Sequence, residues 1–332
     1  MLKHKVHDAA FNMTLLTIIL FFAGFALLVY GANWLVDGAA SIARRYHISY
    51  LVIGMTIVAL GTSAPELVVN LVASFKGAAD VALGNVLGSN ISNIFLILGV
   101  SALIFPLTVA KNTLWKEIPF AFLGAAVVGV LANDVFLNGI SRSMIYRSDG
   151  MILMLFFFLF MVYAFGVARE KGAAVRETIR ERPLWLSLVM TLAGMLALVA
   201  GGRWIVQGAV DIASILGMSE AVISLTIVAL GTSLPELAAC MAAALKRNAG
   251  IVIGNVLGSN IFNVFFVLGT SAVIKPLPFN KALNFDIFAG LAAVMLLWVL
   301  LMVSGRKTLR RWHGALFLLL YVTYITILVV RG

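Results

Sequence analysis

Glu66 and Glu236 each lie inside an apolar run long enough to cross a bilayer. Each follows a proline, Pro65 or Pro235, within "TIVALGTSAPEL" (Thr56–Leu67) and "TIVALGTSLPEL" (Thr226–Leu237). An ionisable group at membrane depth is expensive and marks an ion or substrate path by default. A proline removes one backbone N–H and crowds the carbonyl four residues back, here that of Gly61 or Gly231. In lipid such a carbonyl needs protein, water or a cation. Glycine at that position lets a ligand approach the backbone closely.

The polar residues around the two breaks are of one chemical kind. The first offers Thr62, Ser63 and Glu66, then Asn85, Ser89, Asn90 and Asn93. The second offers Thr232, Ser233 and Glu236, then Asn255, Ser259, Asn260 and Asn263. All supply oxygen and none is His or Cys, which serves zinc, copper and iron poorly. Na+ and Ca2+ want carboxylate, amide, hydroxyl and carbonyl oxygen, and Ca2+ takes about 6–8 of them. Two carboxylates neutralise one Ca2+ or two Na+. Glu66 follows Thr62 by four, so the two share a face where the helix continues, and Ser89/Asn93 and Ser259/Asn263 have the same spacing. Asn90 and Asn260 fall on a different face and are read as bonding across helices or to freed backbone.

Other groups have plainer readings. Gly54, Gly84 and Gly88 suit close helix packing. Asp80, Asp134, Asp149, Glu220 and Asp286 fall at span ends, where water or capping satisfies them. Asp37 and Asp211, just past the ends of the first and sixth spans, are read as structural. Cys240 is read as packing, since one cysteine makes no internal disulfide.

These residues must be held by membrane helices. The 332-residue chain is 62% hydrophobic and 11% charged, with mean hydropathy +1.06, against about 45–50% and about 25% for a soluble domain. Ten spans follow, at about 13–33, 49–75, 80–105, 115–133, 149–168, 184–205, 219–245, 250–274, 284–304 and 312–330. The net charge of +10 does not point to nucleic acid, because Lys and Arg sit mainly in short loops. Fifteen fall on one side and eight on the other. The richer side is assigned to the cytoplasm, with both termini outside. The charged segment 169–183 is read as a solvated cytoplasmic linker. The first span is not read as a signal peptide. It lacks a clear cleavage site and continues into "GANWLVDGA" (Gly31–Ala39), which recurs as "GGRWIVQGA" (Gly201–Ala209).

That recurrence belongs to a repeat at an offset of 170 residues. Residues 54–99 and 224–269 match without a gap at 26 of 46 positions, including "GNVLGSNI" at Gly84–Ile91 and Gly254–Ile261. Five spans separate each element from its copy, so the copies cross the membrane in opposite directions. The predicted fold is an all-α polytopic membrane protein. Its ten transmembrane helices form two inverted five-helix repeats with broken core helices, 1–168 and 184–332, joined by 169–183. Such architectures place substrate at the midplane, where Glu66 and Glu236 would meet.

With G-T-S-x-P-E and G-N-x-x-G-S-N in both copies, the sequence resembles the cation/Ca2+ exchanger superfamily, in particular its compact prokaryotic sodium/calcium exchanger branch. The resemblance implies an antiporter that exchanges Na+ for Ca2+ by alternating access. It implies that spans one and six move past the broken core. Glu66 and Glu236 would be the central carboxylates, and Thr62 and Thr232 would give backbone oxygen. Ser63, Ser89, Ser233 and Ser259 would line flanking Na+ sites with the backbone oxygens of Ala59 and Ala229. Asn93 and Asn263 would lie at the middle. The transported ions are the expected ligands, with no cofactor and no obligate protein partner, in the inner (plasma) membrane of a prokaryote. Some relatives carry Asp where this chain has Asn263. With two formal charges, one Ca2+ leaves the site neutral and three Na+ leave it at plus one, so proton- or K+-coupled exchange stays open. An intramembrane hydrolase using Ser63 or Ser233 would need a base. His4, His7, His47 and His313 lie at span ends or in loops, so no enzyme is expected. A passive channel is separated from an exchanger by the need for an opposing ion gradient.

Overall fold

Long apolar runs with few breakers become long helices, and the exceptions are where the polar residues sit. The structure, a computed structural model, describes residues 15–139, 142–169, 181–215, 229–304 and 307–331. The first half comprises α1 (Leu15–Arg45), α2 (Tyr50–Thr62), α3 (Ala64–Lys76), α4 (Ala79–Ile104), α5 (Lys111–Leu131), α6 (Asp134–Asn138) and α7 (Arg147–Arg169). The second comprises α8 (Leu184–Ile215), α9 (Ala229–Thr232), α10 (Leu234–Leu245), α11 (Ala249–Ile274), α12 (Asn284–Val303) and α13 (Arg311–Arg331). Among the described residues, eight helices are long and apolar enough to span a membrane, and the bent pair α2–α3 makes nine. The expected seventh span begins at 219. Its first part lies outside the described residues, as do Lys3, Lys5, His4, His7, Glu220, Arg306 and linker residues 170–180.

Two expectations about boundaries are corrected. The first and sixth spans do not end near 33 and 205. They continue as α1 and α8, 31 and 32 residues long, with their glycines forming a contact face between the two helices. A Cβ at Gly31 would meet Ala197 Cβ at 2.9 Å, and one at Gly194 would meet the Leu35 nitrogen at 2.5 Å. The two helices pack backbone to backbone, as small residues permit in membranes. Asp37 and Asp211 therefore lie within helices. Asp37 pairs with Lys246 at 2.6 Å, and Asp211 accepts from Gln207 at 3.1 Å.

The break in the second span is a true bend. α2 and α3 meet at 47° about Ser63, whose backbone (φ −84°, ψ 10°) leaves the helix. Pro65 falls in the first turn of α3, where a missing N–H is tolerated. Thr62 and Glu66 thus lie on opposite sides of the bend and do not share a continuous face. α4 and α11 stay unbroken but carry π-helical turns beginning at Asn93 and Asn263. Gly77, at φ 75°, ends α3 in the left-handed conformation that suits glycine.

Two short antiparallel pairings join the halves. β1 (Leu107–Thr108) pairs with β4 (Thr308–Leu309), and β2 (Met144–Ile145) pairs with β3 (Leu277–Pro278). Each joins two loops that the alternation of spans puts on one side of the membrane. α11 is the centre, with 94% of its most apolar window buried, against 17% for α7. Phe22, Phe165 and Leu319, on outer helices, are well exposed, as lipid-facing residues are. Gly54 packs as expected, its Cβ position 3.1 Å from Gly254 Cα. Gly84 and Gly88 do not: a Cβ at either meets no described neighbour.

Candidate functional site

The bend at Ser63, the first turn of α10 and the middles of α4 and α11 converge. Glu66 and Glu236, each in the first turn after a break, are both 1% exposed. They lie within electrostatic reach of one another. The ion pairs among the described residues lie at Asp37 and Glu181 and do not reach either glutamate. No lysine or arginine is therefore seen to neutralise them.

The contacts obey the 170-residue offset across the two halves. Thr62 Oγ1 donates to Asn255 Oδ1 (3.2 Å), and Thr232 Oγ1 donates to Asn85 Oδ1 (3.4 Å). Asn93 Nδ2 donates to Asn260 Oδ1 (2.9 Å), and Asn263 Nδ2 donates to Asn90 Oδ1 (3.2 Å). Each donor in one repeat finds in the other the counterpart of its own copy's acceptor. That is the signature of a two-fold relation between the repeats, and it brings both polar sets to one place.

The relation is broken at the serines. Ser63 Oγ lies 2.8 Å from Glu236 Oε1, to which it donates, and 2.9 Å from Ser259 Oγ. Its copy Ser233 Oγ has no hydrogen-bond partner. Neither has Ser89 Oγ. The backbone follows the same split. Ser63 N donates to Ala59 O (2.9 Å), which also receives the Thr62 hydroxyl (3.4 Å), whereas Ser233 N turns to Leu230 O (3.2 Å). One flank is closed by its own hydrogen bonds and the other is not.

Six buried oxygens of the site lack any hydrogen-bond partner: Glu66 Oε2, Glu236 Oε2, Ser89 Oγ, Ser233 Oγ, Asn93 Oδ1 and Asn263 Oδ1. An unmet buried polar atom costs about 1–3 kcal/mol, and whole domains are stable by only about 5–15 kcal/mol. Such a set calls for donors or cations. Four of the six atoms, carboxylate and amide oxygens, can only accept. A hard cation fits them all.

Sequence reasoning placed these residues but passed over two supports. Asn70, fully buried, accepts from Asn85 Nδ2 (2.6 Å) and donates to Ala82 O (3.0 Å). Its counterpart Cys240, likewise buried, accepts from Asn255 Nδ2 (3.2 Å). Cys240 therefore does more than fill space: it holds the amide that receives Thr62. The available signal for Asn70 was its position one turn beyond Glu66, on the same face. Asp286 is met by Tyr324 Oη at 2.7 Å, a side chain rather than the water or cap expected at a span end.

Comparison with known proteins covers nearly the whole chain. The family model described as "Sodium/calcium exchanger protein" matches residues 16–166 and 186–330. Sodium/calcium exchanger MaX1 of Methanosarcina acetivorans is 30% identical over 340 residues, 92% of this chain and 96% of its own. Inner membrane protein YrbG of Escherichia coli is 35% identical over 303 residues, 86% of this chain and 89% of its own. A solved structure of the sodium-calcium exchanger NCX_Mj, soaked with Na+ and Sr2+, is 35% identical. It superposes with a TM-score of 0.81, covering 95% of this chain and 99% of that one.

Proposed function

Because the chain belongs to the sodium/calcium exchanger protein family, we propose that it is an antiporter exchanging Na+ for Ca2+ at the site shared by its two repeats. One observation carries this reading: six of the buried, unpartnered polar atoms among the described residues, both glutamates included, belong to residues that the repeat motifs single out, three from each repeat. Glu66 and Glu236 supply the charge, and Asn93 and Asn263 bring amide oxygen between them. Ser89 and Ser233 line one flank while Ser63 and Ser259 line the other. Thr62, Thr232, Ala59 and Ala229 contribute backbone oxygen. One Ca2+ balances the two carboxylates, and Na+ competes for the same oxygens, so each ion displaces the other.

α1 and α8 contribute none of these residues and are packed tightly on each other, so they are suited to move as a unit against the core. In this proposal the chain keeps the ten spans read from the sequence, the seventh at about 219–245. The protein lies in a prokaryotic inner membrane, in keeping with its likeness to YrbG. Its more basic loops face the cytoplasm and both termini face outside.

The test uses vesicles containing the purified protein, with Na+, K+ and H+ gradients imposed one at a time. Radiolabelled Ca2+ uptake follows an outward Na+ gradient and collapses without it. Uptake driven by the H+ or K+ gradient alone overturns Na+ coupling, and uptake with no opposing gradient makes the protein a channel.

A further inference from the structure

Asn90 and Asn260 touch none of the unpartnered oxygens directly, yet they govern two of them. Asn90 Nδ2 donates to the backbone carbonyl of Asn260 (3.2 Å), and Asn260 Nδ2 donates to that of Asn90 (3.3 Å). A backbone carbonyl can only accept, so each amide must turn its NH2 toward it. That leaves Asn90 Oδ1 and Asn260 Oδ1 pointing the other way. There they meet the NH2 groups of Asn263 (3.2 Å) and Asn93 (2.9 Å). The amides of Asn263 and Asn93 are thereby oriented in turn. Their oxygens, buried and unpartnered, are left for the centre of the site.

We infer that Asn90 and Asn260 are positioning residues that lock the amides of Asn263 and Asn93 oxygen-inward, making an asparagine pair serve as a cation ligand. The inference rests on the exchanger reading above. An amide has two ends of nearly equal size. Without the lock, a flip would aim the NH2 hydrogens at the cation. Flipping against the lock would also set two amide oxygens face to face. Carboxylates have no wrong end, so Asp at 263 would not need the device. The lock is thus tied to the Asn263 that this chain carries.

The experiment measures the Ca2+ KM and Vmax of Na+-driven uptake in vesicles for wild type, Asn90→Leu, Asn90→Asp, Asn263→Asp and Asn90→Leu/Asn263→Asp. Asn90→Leu loses two hydrogen bonds, its own to Asn260 O and the one it accepts from Asn263 Nδ2; loss of the second, with its orienting effect, corresponds to roughly a tenfold rise in KM. Vmax stays near wild type, while the melting temperature falls by roughly 2–6 °C for the two lost hydrogen bonds, so KM is read on protein shown to be folded and inserted. Asn90→Asp keeps an acceptor for Asn263 Nδ2 and holds KM within about threefold of wild type or below it. On the Asn263→Asp background, Asn90→Leu changes KM by less than about twofold. If leucine impairs folding, Asn90→Ser, too short to reach Asn263, takes its place in both backgrounds. An unchanged KM in the folded single variant, or the same rise in both backgrounds, overturns the lock. Neither result touches the exchanger reading, which falls instead if wild-type uptake does not follow the Na+ gradient.

Discussion

Ser63 and Ser233 are copies of one another in sequence, but their replacement should have different consequences. The Ser63 hydroxyl donates to Glu236 Oε1 at 2.8 Å and touches Ser259 Oγ at 2.9 Å, whereas Ser233 Oγ has no hydrogen-bond partner. A hydrogen bond to a carboxylate contributes about 1.5–3 kcal/mol. In Ser63→Ala that contribution is lost and a buried carboxylate is left short of a donor. At roughly 2 °C per kcal/mol for a chain of this size, the melting temperature without ions falls by roughly 3–6 °C. Ser233→Ala removes no protein hydrogen bond, so its ion-free melting temperature stays within about 1 °C of wild type. With ions Ser233→Ala falls behind wild type as well. A ligand stabilises by an amount set by its concentration over Kd, so losing a ligating hydroxyl at 233 shrinks the shift produced by Ca2+ or Na+. The assay is thermal denaturation of the purified protein in detergent, in chelator without Na+ and then with either ion. Equal ion-free losses in the two variants, or no loss in Ser63→Ala, would refute the reasoning from this asymmetry.

Three further outcomes follow from the packing and topology. Gly194→Ala puts a Cβ 2.5 Å from the Leu35 nitrogen and 2.7 Å from Gly31 O, and backbone cannot yield there without parting α1 from α8. It should destabilise by about 1–3 kcal/mol or more, while Gly166→Ala, with nothing within 4 Å, should melt as wild type. Tyr324→Phe strips the 2.7 Å hydrogen bond from the mostly buried Asp286 carboxylate. It should cost about 1–3 kcal/mol, read as a lower midpoint of thermal unfolding. An alkaline phosphatase fused after Gly332 should be active and a fluorescent protein fused there dark, and the reverse pair would invert the assigned orientation.

The residues of the candidate site were legible in the sequence because the repeat supplied its own control. Glu66 stood out once Glu236 appeared 170 residues later. The same offset pairs Thr62–Asn255 with Thr232–Asn85 and Asn93–Asn260 with Asn263–Asn90. What the sequence could not carry was anything decided by contact rather than by pattern. The first span was drawn to end near 33, within "GANWLVDGA", yet α1 runs on to Arg45. Gly31 and Gly38 of that segment are where α8 lies against α1, a contact that only the partner helix decides. The four-residue spacing of Thr62 and Glu66 assumed a continuous helix, and the backbone turned at Ser63 first. The broken symmetry of the serines was beyond reach in principle, since identical motifs cannot say which copy is engaged. Asn90 and Asn260 were placed on the correct face, but their effect on Asn263 and Asn93 depends on two backbone carbonyls that sequence does not reveal.

The central claim is that two buried glutamates, one from each repeat, bind the exchanged ions together. Na+-driven Ca2+ uptake by Glu66→Gln and Glu236→Gln tests it most directly. Each substitution keeps the shape but removes one of the two charges facing the ion. Breaking a buried ion pair from one side costs about 3–5 kcal/mol, which is roughly two to four powers of ten in binding. Uptake at micromolar Ca2+ should fall to background in both variants while each remains folded and inserted. Wild-type uptake in either one would contradict the shared site.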